Sequence, residues 1–319
     1  MKPWINRLQQ HVATWNQKLP KQLASYVYRF DELENVVEIL KQGELLSRQE
    51  AARRGITYKD CAAPAVIANT VTAHKDYVRL YFYPLTPTQY NTEGIRPGTC
   101  ITSLGAHCPV PIFMLFDFVA LLAQDDTQFS TGNMATGSVS FGSSQADFDK
   151  IDFALVYHRG STWGHPHAST ITFHRHAEVL VPVRLPTSGI KKIVCRSHPE
   201  RWTLLHLLGK KLSKQYENLV EVQASNFFER EWAFVDEVTP EEGSLKFRFH
   251  PPSGYSDPMK VEFKYEDTKH IWTLTNEQHV MRKAFGVDLR NALPTGIASL
   301  RIEGHLAFRD HVTLSDDPF

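Results

Sequence analysis

The octapeptide His174-Arg175-His176-Ala177-Glu178-Val179-Leu180-Val181 decides how the chain is read. Taken as one strand, its side chains alternate, so His174, His176, Glu178 and Leu180 share one face while Arg175, Ala177, Val179 and Val181 take the other. A carboxylate at the head of an apolar strand is held by rigid backbone, and two polar neighbours suit a cleft rather than a sealed core. The plain alternative is a strand end that reaches solvent, where most glutamates lie.

The scaffold around it is large enough to bury a core. With 319 residues, 42% hydrophobic and 22% charged, the composition is that of a globular protein of two domains, or one with a large appendage. Lys+Arg and Asp+Glu both number 35, so no global field advertises a polyanionic partner, and any nucleic-acid contact must come from a local patch. Cys61, Cys100, Cys108 and Cys195 are sparse and unclustered, which argues against a disulfide scaffold or a cysteine zinc site and for reduced thiols in a cytoplasm. No apolar run approaches the ~20 residues of a spanning helix, and the N-terminus lacks a signal-like segment.

Apolar residues at Trp4, Leu8, Val12, Trp15 and Leu19 predict an amphipathic helix over residues 1–20, docked on the core. Tyr26 to Phe30 reads as a strand, followed by a helix carrying Leu33, Val36, Val37 and Leu40 and stopping at Gly43. A second helix spans Arg48 to Arg54, and residues 56–76 read as loop. Val78 to Tyr83 alternates, placing Arg79 on a face with Tyr81 and Tyr83. Val110 to Phe118 reads as a central strand buried on both faces. Asp125 to Ser144 reads as a loop with a turn at Thr131-Gly132-Asn133, Ile151 to Tyr157 as a strand, and Arg159 to Thr170 as a loop. A helix covers Pro199 to Tyr216. Beyond it, Leu245/Phe247/Phe249, Val261/Phe263/Tyr265, Leu300/Ile302 and Leu306/Phe308 alternate between turns, as in a β-sandwich. The fold class is therefore α+β with a β-sandwich-like C-terminal domain. The expected domains are an N-terminal helix (1–20), a catalytic domain (21–216) and a β-rich domain (217–319).

His165, His167, His174 and His176 form two H-x-H pairs without a further ligand at metal-site spacing, so no metal is expected. Phosphate-binding loops, dinucleotide glycine fingerprints and nucleophile elbows are absent. Four segments in order, YRFDELENVVEILKQGELLS (28–47), DYVRLYFYPLTPTQYN (76–91), TGNMAT (131–136) and RHAEVLVP (175–182), together resemble the DarT family of nucleic-acid ADP-ribosyltransferases, over about residues 25–200. The resemblance implies an ADP-ribosyltransferase core that consumes NAD. It also implies a toxin of toxin–antitoxin phage defence, with a cognate antitoxin protein as partner. It places Tyr28, Arg29, Phe30, Asp31 and Asn35 along the NAD pocket, with Tyr81 and Tyr90 as further candidates, and makes Glu178 the catalytic glutamate. Relatives often carry His and Thr where this chain has Arg29 and Asp31, and Arg at the position of Leu85. Some relatives also carry an arginine before the DYV motif; residues 61–75 hold none here, and the resemblance leaves Arg79 or Arg96 to replace it.

The chemistry stands beside the resemblance. Cleaving the nicotinamide–ribose bond builds oxocarbenium character, which a fixed carboxylate stabilises. Glu178 or His176 would then take the proton of the acceptor base, Glu178 being preferred, while Arg29 or Arg79 would neutralise the pyrophosphate. Trp163 would stack on an extruded base, with His174, Arg175 and His176 around its edge. Lys191, Lys192, Arg196, Arg201, Lys210 and Lys211 form a basic concentration that would follow the backbone of a single strand of DNA or RNA, or simply be a solvated face. The alternatives are a protein-directed transferase and an inactive nucleotide or nucleic-acid binding module.

Overall fold

A computed structural model describes residues 1–61, 72–101, 105–136 and 138–315; residues 62–71 of the expected 56–76 loop lie outside these. The chain forms two compact units. One comprises Met1–Phe30, Glu38–Asn91 and Phe113–Ile193, the other Asp31–Val37, Thr92–Ile112 and Val194–Phe319.

The first unit is built on a sheet in which Ile190–Cys195, Pro111–Asp117, Tyr26–Glu32, Tyr77–Tyr81, Glu178–Pro182, Gln128–Ser130 and Phe141–Gly142 lie side by side in that order. Pro111–Asp117 is buried along nearly its whole length, as its unbroken apolar run requires. Strand Tyr77–Tyr81 alternates buried and half-buried residues, so Val78 and Leu80 enter the core while Arg79 and Tyr81 take the other face. One expected strand, and the first residues of another, are helical instead. Phe153–Val156 is a short helix because the Asp152 carboxylate accepts the N–H groups of Ala154 (3.1 Å) and Leu155 (3.2 Å), and because Phe153 and Val156 then fall on one buried face. Ala168–Arg175 is also a helix, ending before Glu178. His174 and Arg175 suit its last turn, where cations meet the negative end of the helix dipole.

The N-terminal helix, Ile5–Asn16, is docked by a buried histidine. His11 stacks on Phe118 at 5.0 Å, touches Phe153 at 4.1 Å, and its Nε2 meets the Tyr157 hydroxyl at 2.9 Å. Burial, with Arg7 adding to it, pushes the His11 imidazole down to about 3. The folded state therefore keeps His11 neutral while an unfolded chain protonates it below its usual value of 6.5. Stability present above that value is lost as pH falls toward 3, by about 2 kcal/mol at pH 5. Urea titrations at pH 7 and pH 5 should show this loss in the wild type and a smaller one in His11→Phe, which keeps a ring in the cluster but cannot titrate. An unchanged pH dependence in that variant would remove His11 as its source.

The second unit carries the C-terminal strands. Phe234–Glu241, Ser244–His250 and Phe285–Asp288 form one sheet; Ile271–His279, Met259–Glu266, Thr295–Ile302 and His305–Thr313 form the other. The two-residue alternation is the cause: Leu245, Phe247, Val261, Phe263, Leu300 and Phe308 are all buried, and Phe247 meets Phe263 at 5.8 Å and Phe308 at 5.7 Å between the sheets. Helix His198–Tyr216 belongs to this unit, with Arg309 donating its N–H to the Thr203 hydroxyl at 2.9 Å. Tyr216, taken from the sequence as the end of the catalytic domain, thus lies inside the second unit.

Arg196 is not part of a basic surface. Its guanidinium is fully buried, donates to Glu200 at 2.6 and 2.9 Å and to the Pro109 carbonyl at 3.0 Å, and lies 3.7 Å from Glu93. Arg96 is likewise buried, over the Trp232 ring at 4.6 Å, with Nη2 donating to the Glu93 carbonyl at 2.5 Å. Both arginines hold the second unit together.

Candidate active site

Pairing among three neighbouring strands creates the site. Tyr28 opposes Tyr81, and Tyr81 opposes Glu178, so strands Tyr26–Glu32, Tyr77–Tyr81 and Glu178–Pro182 set these residues in one row. Arg79 opposes Leu180, two residues along the same face from Glu178, which is within reach of a long side chain. Its guanidinium grips the carboxylate with two bonds, Nε to Oε2 at 2.5 Å and Nη2 to Oε1 at 3.0 Å. The Glu178 side chain is 4% exposed and that of Arg79 30%, so the pair opens to solvent on the arginine's side. Burying a carboxylate this far is tolerable because the fork satisfies both oxygens. Burial alone would lower the Arg79 pKa, but the adjacent Glu178 charge outweighs it and raises it.

The backbone of Glu178 is fixed as firmly as its side chain. Its N–H donates to the buried Ser130 hydroxyl at 3.0 Å, and that hydroxyl donates to the Gly132 carbonyl at 2.9 Å. The turn Thr131-Gly132-Asn133 is tied in turn to the end of helix Ala168–Arg175: Asn133 N–H donates to the Phe173 carbonyl at 3.0 Å and His174 Nδ1 to the Thr131 carbonyl at 3.1 Å. Gly132 passes so close to Phe173 that a Cβ would stand 2.3 Å from the ring.

Tyr81 is pushed up to about 12, first by burial and then by the Glu178 charge, so its phenol is neutral at physiological pH. Phe30 stacks on it at 6.3 Å with the rings 16° from parallel. Arg29 is close enough for its charge to act on both Arg79 and Tyr81. Burial lowers the His176 pKa, keeping the imidazole neutral. Nδ1 of His176 donates to the Thr172 carbonyl at 2.7 Å and Nε2 faces the Thr88 hydroxyl at 3.0 Å, so neither ring nitrogen is open to a substrate.

Other expected residues are placed differently from the single-strand reading. His174 and His176 lie at the end of a helix and do not share a strand face with Glu178, because the strand begins at Glu178 itself. Arg175 reaches the carbonyl of Leu85, a left-handed residue at φ 61°, whose N–H donates to the buried Gln89 side chain at 2.9 Å. Asp31 accepts from the Asn35 amide at 2.6 Å, within the second unit. Trp163 is 95% exposed and Tyr90 55%. Among the described residues no cluster of histidine, cysteine and acidic side chains is arranged to hold a metal ion, and no helix is long and apolar enough to cross a membrane. Ser130 and Thr88 are the site residues that sequence reading missed. Ser130 precedes the recognised turn, but nothing in its neighbours signals contact with a residue 48 positions away.

A buried carboxylate forked by arginine thus stands at a strand end in the core of the first unit. A family model described as DarT, ssDNA thymidine ADP-ribosyltransferase, matches residues 28–228, and the chain belongs to that family. Its class is therefore that of NAD-dependent ADP-ribosyltransferases. The structure of Thermus sp. 2.9 DarT in complex with ADP-ribosylated ssDNA is similar at 17% identity and TM-score 0.51, over 64% of this chain and 97% of that one, which is a likeness of fold. Thermus sp. 2.9 DarT in complex with NAD+ gives 18% identity and TM-score 0.49 over 64% and 98%. Thermosipho africanus DarTG in complex with ADP-ribose gives 18% and 0.49 over 67% of this chain and 52% of that one. No curated protein sequence matches the chain. Residues 229–319 lie beyond the family match.

Proposed function

We propose that this protein transfers ADP-ribose from NAD to a base of single-stranded DNA, with Glu178 as the catalytic carboxylate. The observation that carries this reading is the Arg79–Glu178 fork at the head of strand Glu178–Pro182, in a chain of this family. The bond between nicotinamide and the ribose C1′ breaks and its electron pair leaves with nicotinamide, which becomes neutral. Positive charge developing on the ribose is stabilised by the fixed Glu178 carboxylate. The base nitrogen forms the new bond to C1′, and its proton passes to Glu178 and then to water. Both ring nitrogens of His176 are engaged in hydrogen bonds, which favours Glu178 over it as the direct base. Arg29, Phe30, Tyr81 and Tyr90 remain the candidates for holding NAD, whereas the Tyr28 side chain is wholly buried and its hydroxyl donates to the Leu23 carbonyl at 2.6 Å.

The acceptor is read as single-stranded because a base must leave the stack before its ring nitrogen can be reached, and the chain carries no net charge to draw it to duplex DNA. Incubation with labelled NAD and separate pools of single-stranded DNA, RNA and protein tests this. Label should enter the DNA, and label confined to protein or RNA would overturn the reading. In a cell we read the enzyme as the toxin of a phage-defence pair, restrained by a cognate antitoxin protein.

Trp163 is the candidate stacking platform, since its ring is almost wholly exposed on the loop that leads to helix Ala168–Arg175. Stacking is worth about 1–3 kcal/mol per base. Trp163→Ala should therefore lower modification of a single-stranded oligonucleotide severalfold or more while slow NAD hydrolysis persists. Equal modification by variant and wild type would take Trp163 out of target binding.

A further inference from the structure

Glu178 is held by its backbone as well as by Arg79. Strands Gln128–Ser130 and Glu178–Pro182 pair antiparallel, with Gln128 opposite Leu180 and Phe129 opposite Val179. One residue further along that register Ser130 faces Glu178, where one strand ends and the other begins. There a side chain takes the Glu178 N–H: the Ser130 hydroxyl accepts it at 3.0 Å. A serine hydroxyl has one proton and two lone pairs, and this proton goes to the Gly132 carbonyl at 2.9 Å. The wholly buried Ser130 thus joins the head of the Glu178 strand to the turn Thr131-Gly132-Asn133. That turn is held from its far side by the end of helix Ala168–Arg175, through the bonds of His174 Nδ1 to the Thr131 carbonyl and of Asn133 N–H to the Phe173 carbonyl.

We propose that Ser130 is a positioning residue for the transfer reaction: its hydroxyl registers the head of strand Glu178–Pro182 on the Thr131-Gly132-Asn133 turn, so that the Glu178 carboxylate keeps the place from which it faces the ribose. The Arg79 fork orients the carboxylate, and Ser130 fixes the point on the chain from which the side chain starts. Glu178 needs this second anchor because it is the first residue of its strand, with the helix before it ending at Arg175. Ser130 acts through Glu178 and does not touch the substrate. Transfer to the base and slow hydrolysis of NAD both pass through an oxocarbenium-like ribose that Glu178 stabilises, so loss of the hydroxyl lowers both. A residue that only binds the target strand, the role given to Trp163, lowers transfer alone.

This assignment rests on the transferase reading above, and two measurements separate them. The first is hydrogen exchange of the Glu178 amide in the folded wild-type protein, read by NMR after 15N labelling of glutamate. Strong protection is expected, and exchange at the rate of an unprotected amide would overturn the Ser130 contact whatever the enzyme modifies. The second is steady-state kinetics with NAD and a thymidine-containing single-stranded oligonucleotide, well below the unfolding midpoint. Ser130→Ala should lower kcat for transfer and the rate of slow NAD hydrolysis together, by about threefold to tenfold each, with KM for NAD and for the oligonucleotide within about twofold. Ser130→Thr, which restores the hydroxyl, should recover most of the loss. Wild-type transfer with an unaltered kcat in a merely less stable Ser130→Ala would overturn the positioning role and leave the transferase reading intact. A fall in transfer with unaltered hydrolysis would also overturn it, because Ser130 would then serve the target and not Glu178. Absence of transfer by the wild type would sink the transferase reading and this inference with it. Should Ser130→Ala not fold, Ser130→Cys, close in size but a weaker hydrogen-bonding group, should show a smaller fall in both rates, and unaltered rates there would overturn the role.

Discussion

Glu178→Gln should lower turnover by at least about 10²-fold while the affinity for NAD changes little. The amide keeps the shape of the side chain but removes the negative charge that faces the developing oxocarbenium ion, and it cannot take the proton of the base. A preorganised electrostatic contact of this kind is worth about 3–4 kcal/mol in the transition state. Little of it is spent on bound NAD, whose ribose carries no such charge. The variant also breaks the ion pair with Arg79, so its fold should be checked by circular dichroism and its NAD affinity by calorimetry. Expression of the wild type should arrest growth and expression of Glu178→Gln should not. Retained transfer activity in the variant would remove Glu178 from the mechanism.

The parts of this fold that are legible in the sequence are those governed by local periodicity. The C-terminal sheets follow from strict two-residue alternation, as in Val261/Phe263/Tyr265, and the strand Pro111–Asp117 from an apolar run too short for a helix. Glu178 stands out because the apolar run behind it is unmistakable. Local periodicity fails at short segments. His174 and His176 alternate with Glu178 by coincidence, whereas the helix Ala168–Arg175 is set by burial of Ile171 and by the polar groups that close its end. The Phe153–Val156 helix was legible in principle, since Asp152 stands where an N-cap belongs, but the apolar run reads equally well as a strand.

Pairings between distant segments are harder still. Arg196 looks like a member of a basic patch with Lys191 and Lys192, yet it is buried against Glu93, 103 positions earlier, and Glu200. Only the assembled second unit brings these carboxylates to it. Arg79 was recognisable as a residue of the site from its shared face with Tyr81. Its partner was not, because the register of two strands separated by 99 residues determines that it meets Glu178.

That register changes the expected role of Arg79, and kinetics can tell the two roles apart. An arginine that binds the pyrophosphate contributes equally to bound NAD and to the transition state, so replacing it raises KM for NAD and leaves kcat nearly unchanged. An arginine that holds Glu178 acts on turnover. Arg79→Met keeps the length of the side chain but leaves the carboxylate, 4% exposed, without its cation. An uncompensated buried charge costs several kcal/mol, which the site relieves by letting the carboxylate rotate, gain a proton or draw in water. Each outcome removes the fixed negative charge from the reaction path. The expected result is a fall in kcat of about 10–10²-fold, with KM for NAD changed by less than about threefold. Arg79→Lys should recover only part of the loss, since an ammonium presents a point charge and cannot reproduce the planar fork on both carboxylate oxygens. A large rise in KM with normal kcat would instead assign Arg79 to the pyrophosphate and show that the fork opens when NAD binds.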